Sequence, residues 1–208
     1  MMAAFQPSLF DEAVAPTFRS LTPATRLHLS QGAWVDHLPG WLPGCDEVFE
    51  SLLHEVPWRS EQRQMYDAVV AVPRLVHTYG IGQPLPHVAL EAARAKLNQH
   101  YLNELGEPFV TAGCCLYRDG RDSVAWHGDN IGRGRRADTM VAIVSFGSAR
   151  KLLLRPRGGR TELALTLFHG DLVVMGGSCQ RTWEHAVPKT ALPVGPRLSV
   201  QFRPRNVF

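Results

Sequence analysis

The chain has 208 residues, 45% of them apolar and 20% charged, which fits one folded domain and excludes wholesale disorder. The four cysteines (Cys45, Cys114, Cys115 and Cys179) form no C-x-x-C pair and no zinc-ribbon spacing, so reduced thiols are expected. Net charge is +3, but residues 1–72 carry four basic and nine acidic side chains, whereas the remainder carries eighteen and ten.

In chain order, residues 1–43 hold Pro7, Pro16, Pro23, Pro39 and Pro43 and read as an extended arm with short turns. Residues 46–56 open on an acidic cap and place Val48, Leu52 and Leu53 near one face, which predicts a helix. A stronger helix is expected over 87–105, where Leu90, Ala93, Leu97, Tyr101 and Leu105 recur every three or four residues until Gly106 and Pro108. Beyond 109 the period changes. Short apolar runs at 111–117, 139–146, 151–154, 163–168, 171–175 and 197–203, separated by Gly- and Arg-rich turns, predict a mainly β half with the flanking helices before it, an α+β arrangement with a jelly roll or barrel as its core. The division expected is a single domain, 1–208, with an N-terminal extension and lid over 1–108 and the β core over 109–208. No apolar run reaches the roughly 18 residues of a membrane span, and the first residues lack the pattern of a secretion signal. A cytoplasmic protein without membrane association, monomeric by default, is the expectation.

Charge points to a partner. Between 130 and 160 stand Arg133, Arg135, Arg136, Arg150, Lys151, Arg155, Arg157 and Arg160 against the single acid Asp138. That is the footprint of a polyanion such as nucleic acid, or simply a solvated basic rim.

Three pieces of the β half carry chemistry. His127 and Asp129 are two residues apart, so in an extended strand both project from one face. His185 follows 56 residues after Asp129, in a run that also reads as a strand. Two imidazoles and one carboxylate on one face of an octahedron are the ligand set of non-haem Fe(II) oxygenases. In the last strand, Leu198, Val200 and Phe202 alternate with Arg197, Ser199, Gln201 and Arg203. If that polar face points inward, its two guanidiniums, read as lying about 6–7 Å apart, suit a small dicarboxylate. Each piece alone has a plain alternative: a chance H-x-D, a hydrogen-bonded core histidine, surface arginines.

Taken together, these stretches resemble the AlkB-like family of Fe(II)- and 2-oxoglutarate-dependent dioxygenases. The residues that carry the resemblance are Leu116-Tyr117-Arg118-Asp119-Gly120, Trp126-His127-Gly128-Asp129, Val144-Ser145-Phe146-Gly147, His169-Gly170-Asp171-Leu172, His185-Ala186-Val187-Pro188-Lys189 and Arg197 through Arg203. More loosely, Pro73-Arg74-Leu75 with Tyr79-Gly80 is similar to the family's nucleotide-recognition segment. The resemblance implies a double-stranded β-helix with His127, Asp129 and His185 as catalytic iron ligands. It also implies 2-oxoglutarate held by Arg197, Tyr117, Ser199 and Arg203. The family has Asn where this chain has Ser199 and Cys115, at the cost of hydrogen bonds but not of charge pairing.

The implied activity is oxidative removal of an N-alkyl group from a nucleic-acid base with O₂, as in DNA repair, releasing formaldehyde; DNA is favoured over RNA. A base drawn out of its stack would meet Trp58, His77 and Tyr79, with Asn130 beside the metal and Arg74, Arg133, Arg135 and Arg136 on phosphates. Repair members carry an acidic side chain shortly after the iron-binding Asp; Asn130 and Ile131 stand here, which weakens the case for cationic methylated adenine or cytosine. Two alternatives remain open: the same oxygenase chemistry on a protein side chain or small metabolite, and a non-catalytic nucleic-acid-binding jelly roll.

Overall fold

The computed structural model describes residues 17–65 and 68–207, with side chains described outside 62–71. Two antiparallel sheets face one another. The larger runs β1 (Thr25–His28), β2 (Ala33–Leu38), β10 (Leu172–Gly177), β7 (Val141–Gly147), β12 (Arg197–Arg203), β5 (Thr111–Tyr117), β4 (Ala68–Tyr79) and β3 (Arg59–Met65). The smaller runs β6 (Val124–His127), β11 (Trp183–Val187), β8 (Arg150–Pro156) and β9 (Leu163–Leu167).

Both expected helices form. Helix α1 covers Asp46–Glu55, and α2 covers Val88–Leu105. In α2 the His87 imidazole caps the Ala89 N–H, and Gly106 in the left-handed region (φ 78°) ends the helix. No described helix is long and apolar enough to cross a membrane.

Strand alternation divides the interior into two cores. Even-numbered residues of β12 and β5 (Leu198, Val200, Phe202, Ala112, Cys114) lie under the helices with Leu52, Leu90 and Leu97. Between the sheets, Val141, Ile143, Val173 and Met175 of the larger sheet meet Leu152, Leu154, Leu167 and Trp183 of the smaller. Full burial of an aliphatic side chain contributes about 1.5–3 kcal/mol, so both layers contribute substantially to stability.

The first half of the chain is built into this framework. Residues 17–43, expected as an arm, supply β1 and β2, and β2 pairs with β10 from Leu38↔Leu172 to Ala33↔Gly177. The run Ala33–Leu38 is buried along nearly its whole length, as a strand covered on both faces must be, and its prolines lie outside it. Pro7 and Pro16 lie outside the described residues. Strands β3 and β4 form an edge hairpin joined to β5.

A buried carboxylate ties the sheet to the α1 approach. Asp171 accepts from Gly40 N at 2.7 Å and Phe168 N at 2.8 Å, and His37 Nε2 stands 3.5 Å away. Burial acts to raise its pKa, but His37 and the two amide donors bring it below the ordinary carboxylate range. The motif His169 through Leu172 is therefore structural at Asp171.

Candidate active site

The alternation of β12 is as expected. Arg197, Ser199 and Gln201 are buried on the side facing the smaller sheet, while their apolar neighbours lie under the helices. The expected arginine spacing needs correction. Arg197 is opposite Tyr117 and Arg203 opposite Thr111, at the two ends of the β12–β5 pairing. Six residues of strand separate them by roughly 20 Å along the backbone, so only the length of the side chains brings their charges inward.

The metal-ligating set does come together. His127 and His185 sit directly opposite each other on paired β6 and β11, with ring centroids 4.2 Å apart. Asp129 lies just beyond β6, with Oδ1 3.9 Å from His127 Nε2. One ligand atom from each of the three falls within 4.8 Å of the others. His127 Nδ1 donates to Ala125 O at 2.8 Å, which fixes the tautomer and leaves Nε2 free to ligate. Burial lowers the pKa of His127, and burial aided by His127 pushes His185 down to about 3, so both are neutral at neutral pH. Asp129 is buried; desolvation opposes its charge, yet Arg203 and the two imidazoles hold it well below the usual carboxylate range. Neutral nitrogens and an ionised carboxylate are the forms a hard-to-borderline divalent cation requires.

Two further residues position Asp129. Arg203 reaches across from the larger sheet and donates through Nε to Asp129 Oδ2 at 2.8 Å. It crosses over Gly113, where a Cβ would come within 2.6 Å of Arg203 Nη1. From the one-turn helix α3 (Cys179–Thr182), the buried Gln180 accepts from Asp129 N at 2.9 Å. Sequence reasoning missed Gln180; its one signal was an amide in the short link between an apolar strand and the His185 strand.

The second half of the pocket is a buried cation. Arg197 is 2% exposed, donates through Nε to Ser145 Oγ at 3.2 Å and lies 5.1 Å from the Tyr117 ring centre. It pairs with no carboxylate among the described residues. Burial pulls its pKa below the ordinary arginine value, and burial raises that of Tyr117, which keeps its proton to donate. A desolvated guanidinium with unspent donors beside a phenol fits an anionic ligand. Ser199 Oγ accepts from Gln201 Nε2 at 2.6 Å, so Gln201 satisfies the position where the family carries Asn.

The residues expected around a base separate. On β4, His77 and Tyr79 pair with Cys114 and Ala112, which face the helices. Tyr79 and Trp58 pack against the helix-side core, Trp58 Nε1 donating to Leu53 O at 3.2 Å. His77 meets Tyr79 edge-on at 4.6 Å. Continuing the β4–β5 register places Arg74 opposite Tyr117, facing the pocket rather than the phosphates assigned to it. Its Nε is buried and finds no hydrogen-bond partner among the described residues.

The basic run is partly structural too. Arg150 is buried, donating to the carbonyls of Asp119, Asp122 and Pro188. Arg155 pairs with Glu184 across Trp126, and Arg133 with Glu107. Arg135 and Arg136 stay exposed. Arg135 lines a cleft of about 460 Å³ with Asn130, Ile131, Gly132, Arg157 and Arg181, starting one residue past Asp129.

The profile of the 2OG-Fe(II) oxygenase superfamily matches residues 37–203. Alpha-ketoglutarate-dependent dioxygenase alkB homolog 3 of Mus musculus is 30% identical over 97% of this chain and 74% of its own length. The Bos taurus protein of that name is 31% identical over 79% of this chain. The human DNA oxidative demethylase ALKBH2 is 26% identical over 76% of this chain and 68% of its own. The chain spans 64% of the Bos taurus homolog 3 and 61% of the human one. The solved structure of OsALKBH1 superposes with a TM-score of 0.59 at 14% identity, covering 87% of this chain and 100% of that one. A Trichoplax adhaerens prolyl hydroxylase, in complex with a hypoxia inducible factor peptide fragment, gives 0.59 at 12%, covering 83% of each. These two likenesses identify the fold as the jelly roll of such oxygenases.

Proposed function

The chain belongs to the 2OG-Fe(II) oxygenase superfamily, in its AlkB-like branch, and on that premise we propose that it oxidatively dealkylates N-alkylated bases in nucleic acid. The observation that carries the proposal is the clustering of His127, Asp129 and His185, in a fold whose strand β12 also buries Arg197 without a carboxylate partner among the described residues. When bound, Fe(II) and 2-oxoglutarate supply the chemistry that activates O₂ and oxidises an N-alkyl carbon, with succinate, CO₂ and formaldehyde as co-products.

The protein's part is to hold and orient. His127, Asp129 and His185 would ligate iron, with Ala125 O, Arg203 and Gln180 fixing the first two in place. Arg197 and the protonated Tyr117 would grip the far carboxylate of 2-oxoglutarate. Arg203, already on Asp129, would neutralise charge at the metal end. His127 is the one ligand with substantial exposure, its side chain 38% open, so substrate approaches over that imidazole. Exposed Arg135 and Arg136 supply contacts to phosphate, with DNA favoured over RNA. Homolog 3 and ALKBH2 relatives, named as dioxygenase and DNA demethylase, support the nucleic-acid reading. The chain acts as a monomer in this account.

The test is product analysis with Fe(II), 2-oxoglutarate and methylated DNA and RNA oligonucleotides, measuring formaldehyde and the repaired base by mass spectrometry. Formaldehyde matched by repaired base supports the reading. Turnover of 2-oxoglutarate with no change in any oligonucleotide would contradict it.

A further inference from the structure

One buried cation has no part in the chemistry so far. Arg150, the first residue of β8, is 4% exposed. Its Nη1 donates to Asp119 O at 3.0 Å, and its Nη2 to Asp122 O at 2.8 Å and Pro188 O at 2.6 Å. The carboxylates of Asp119 and Asp122 pair instead with Arg121 and Arg118. A guanidinium taken out of water is costly unless its donors are used, so Arg150 persists through what these three carbonyls give it.

The carbonyls belong to the two segments that adjoin the cofactor end of the larger sheet. Tyr117 ends β5 and Arg197 begins β12, opposite each other in the pairing. At a strand end the ladder fixes the chain on one side only, and the last side chain is placed as firmly as the loop beside it. Residues 118–122 run on from Tyr117 and carry two of the carbonyls. Pro188 opens the segment that leads to Arg197. The two segments also meet directly: Thr190 N donates to Gly120 O at 2.8 Å, and a Cβ at Gly120 would run into the Thr190 carbonyl oxygen.

Arg150 reaches the site itself as well. Its Cζ lies 5.6 Å from the Tyr117 ring centre, and that of Arg197 lies 5.1 Å from the same centre. The buried phenol is thus held by two guanidiniums, one of which fastens the chain on either side of the Tyr117–Arg197 pair. Lysine would keep the charge but offer one nitrogen where Arg150 uses two to reach three carbonyls.

We propose that Arg150 is a positioning residue of the 2-oxoglutarate site, which fastens the two loops together and so holds the Tyr117 hydroxyl beside Arg197 for the far carboxylate. The inference rests on the assignment of Tyr117 and Arg197 to that carboxylate and is independent of which substrate is oxidised. It is tested by calorimetric titration of 2-oxoglutarate into Mn(II)-loaded wild type, Arg150→Lys, Tyr117→Phe and the double variant, each well below its melting temperature. Affinity for Mn(II) alone is measured beside it. Each single variant should bind 2-oxoglutarate about tenfold more weakly, with Mn(II) affinity within about twofold of wild type. The losses should not add: once Arg150 is lysine, removing the Tyr117 hydroxyl should cost less than about threefold, because that hydroxyl is already misplaced. An arginine that only supported the fold would lower Tm and leave 2-oxoglutarate affinity unchanged. Gly120→Ala, which forces the loops apart without touching the buried cation, should also weaken 2-oxoglutarate and spare Mn(II). Folded Arg150→Lys with 2-oxoglutarate affinity within about twofold of wild type, or losses that add in full, would overturn the inference. If Arg150→Lys does not fold, Gly120→Ala decides, and unchanged 2-oxoglutarate affinity there would overturn it. Tyr117→Phe without effect on its own would instead remove the assignment of Tyr117, and the inference with it.

Discussion

Replacing Gln180 by Met removes one buried acceptor while nearly keeping side-chain volume. Gln180 Oε1 accepts from Asp129 N at 2.9 Å, and both residues are buried. Without it, the Asp129 N–H is left unpaired inside the protein, a loss of about 1–3 kcal/mol. Gln180 Nε2 already lacks a partner among the described residues, and its removal offsets part of that cost. The net destabilisation should be near 1 kcal/mol, or roughly 2–4 °C in Tm for a chain of this size. The larger effect belongs to the metal, because Asp129 loses the contact that fixes its backbone. Losing such an outer partner typically weakens metal affinity about 10–100-fold. Anaerobic titration with Co(II), followed by its visible spectrum, would measure affinity and coordination together, alongside melting of the metal-free protein. A lowered Tm with Co(II) affinity within about twofold of wild type and an unchanged spectrum would refute the positioning role.

Arg197→Met should separate stability from ligand binding. Removing a buried cation without a carboxylate should leave the ligand-free protein as stable or more so, while 2-oxoglutarate binding in the presence of Mn(II) weakens by about 1.5–3 kcal/mol, read as a lost ligand-induced rise in Tm. Unchanged 2-oxoglutarate affinity would place the cofactor elsewhere. Asp171 predicts a pH effect: its folded pKa lies below the unfolded value, so its contribution is complete above that unfolded value and is lost as pH falls through the folded one. The stability gap between wild type and Asp171→Asn should therefore be widest at neutral pH and shrink as pH falls below about 5, toward and past the unfolded carboxylate value; a constant gap in denaturant titrations would contradict this. Trp58→Phe and Tyr79→Phe change groups on the helix side, so KM for a methylated oligonucleotide should stay within about twofold of wild type, with Trp58→Phe losing about 0.5–1.5 kcal/mol of stability with its hydrogen bond to Leu53 O. A large rise in KM for either would return these rings to the base pocket.

What was legible in the sequence followed local pattern. The 3.6-residue period of α2 and the strict alternation of β12 were each long enough to fix both element and face. His127, Asp129 and His185 were legible because their residue types and spacing are rare in combination. The edge hairpin was hidden by Pro73, which interrupts a run that otherwise reads as one strand. In the structure Pro73 falls just before the β4–β5 pairing begins at Leu75, near the irregular β3 register between Ser60 and Gln62, where a missing N–H costs no ladder bond. Strand parity was available and unused: Arg74 and Tyr79 are five residues apart on one strand, so they point to opposite faces and cannot share a pocket. Gln180 and the Arg203 contact to Asp129 were beyond local reading, since both depend on segments 51 and 74 residues away.

Metal stoichiometry is the most direct test of the account. Under anaerobic conditions wild-type protein should bind one Fe(II) per chain, and Asp129→Ala or His185→Ala, shown to be folded by circular dichroism, should bind none at the same concentration. One equivalent of iron retained by either folded variant would contradict the assignment on which the chemistry depends.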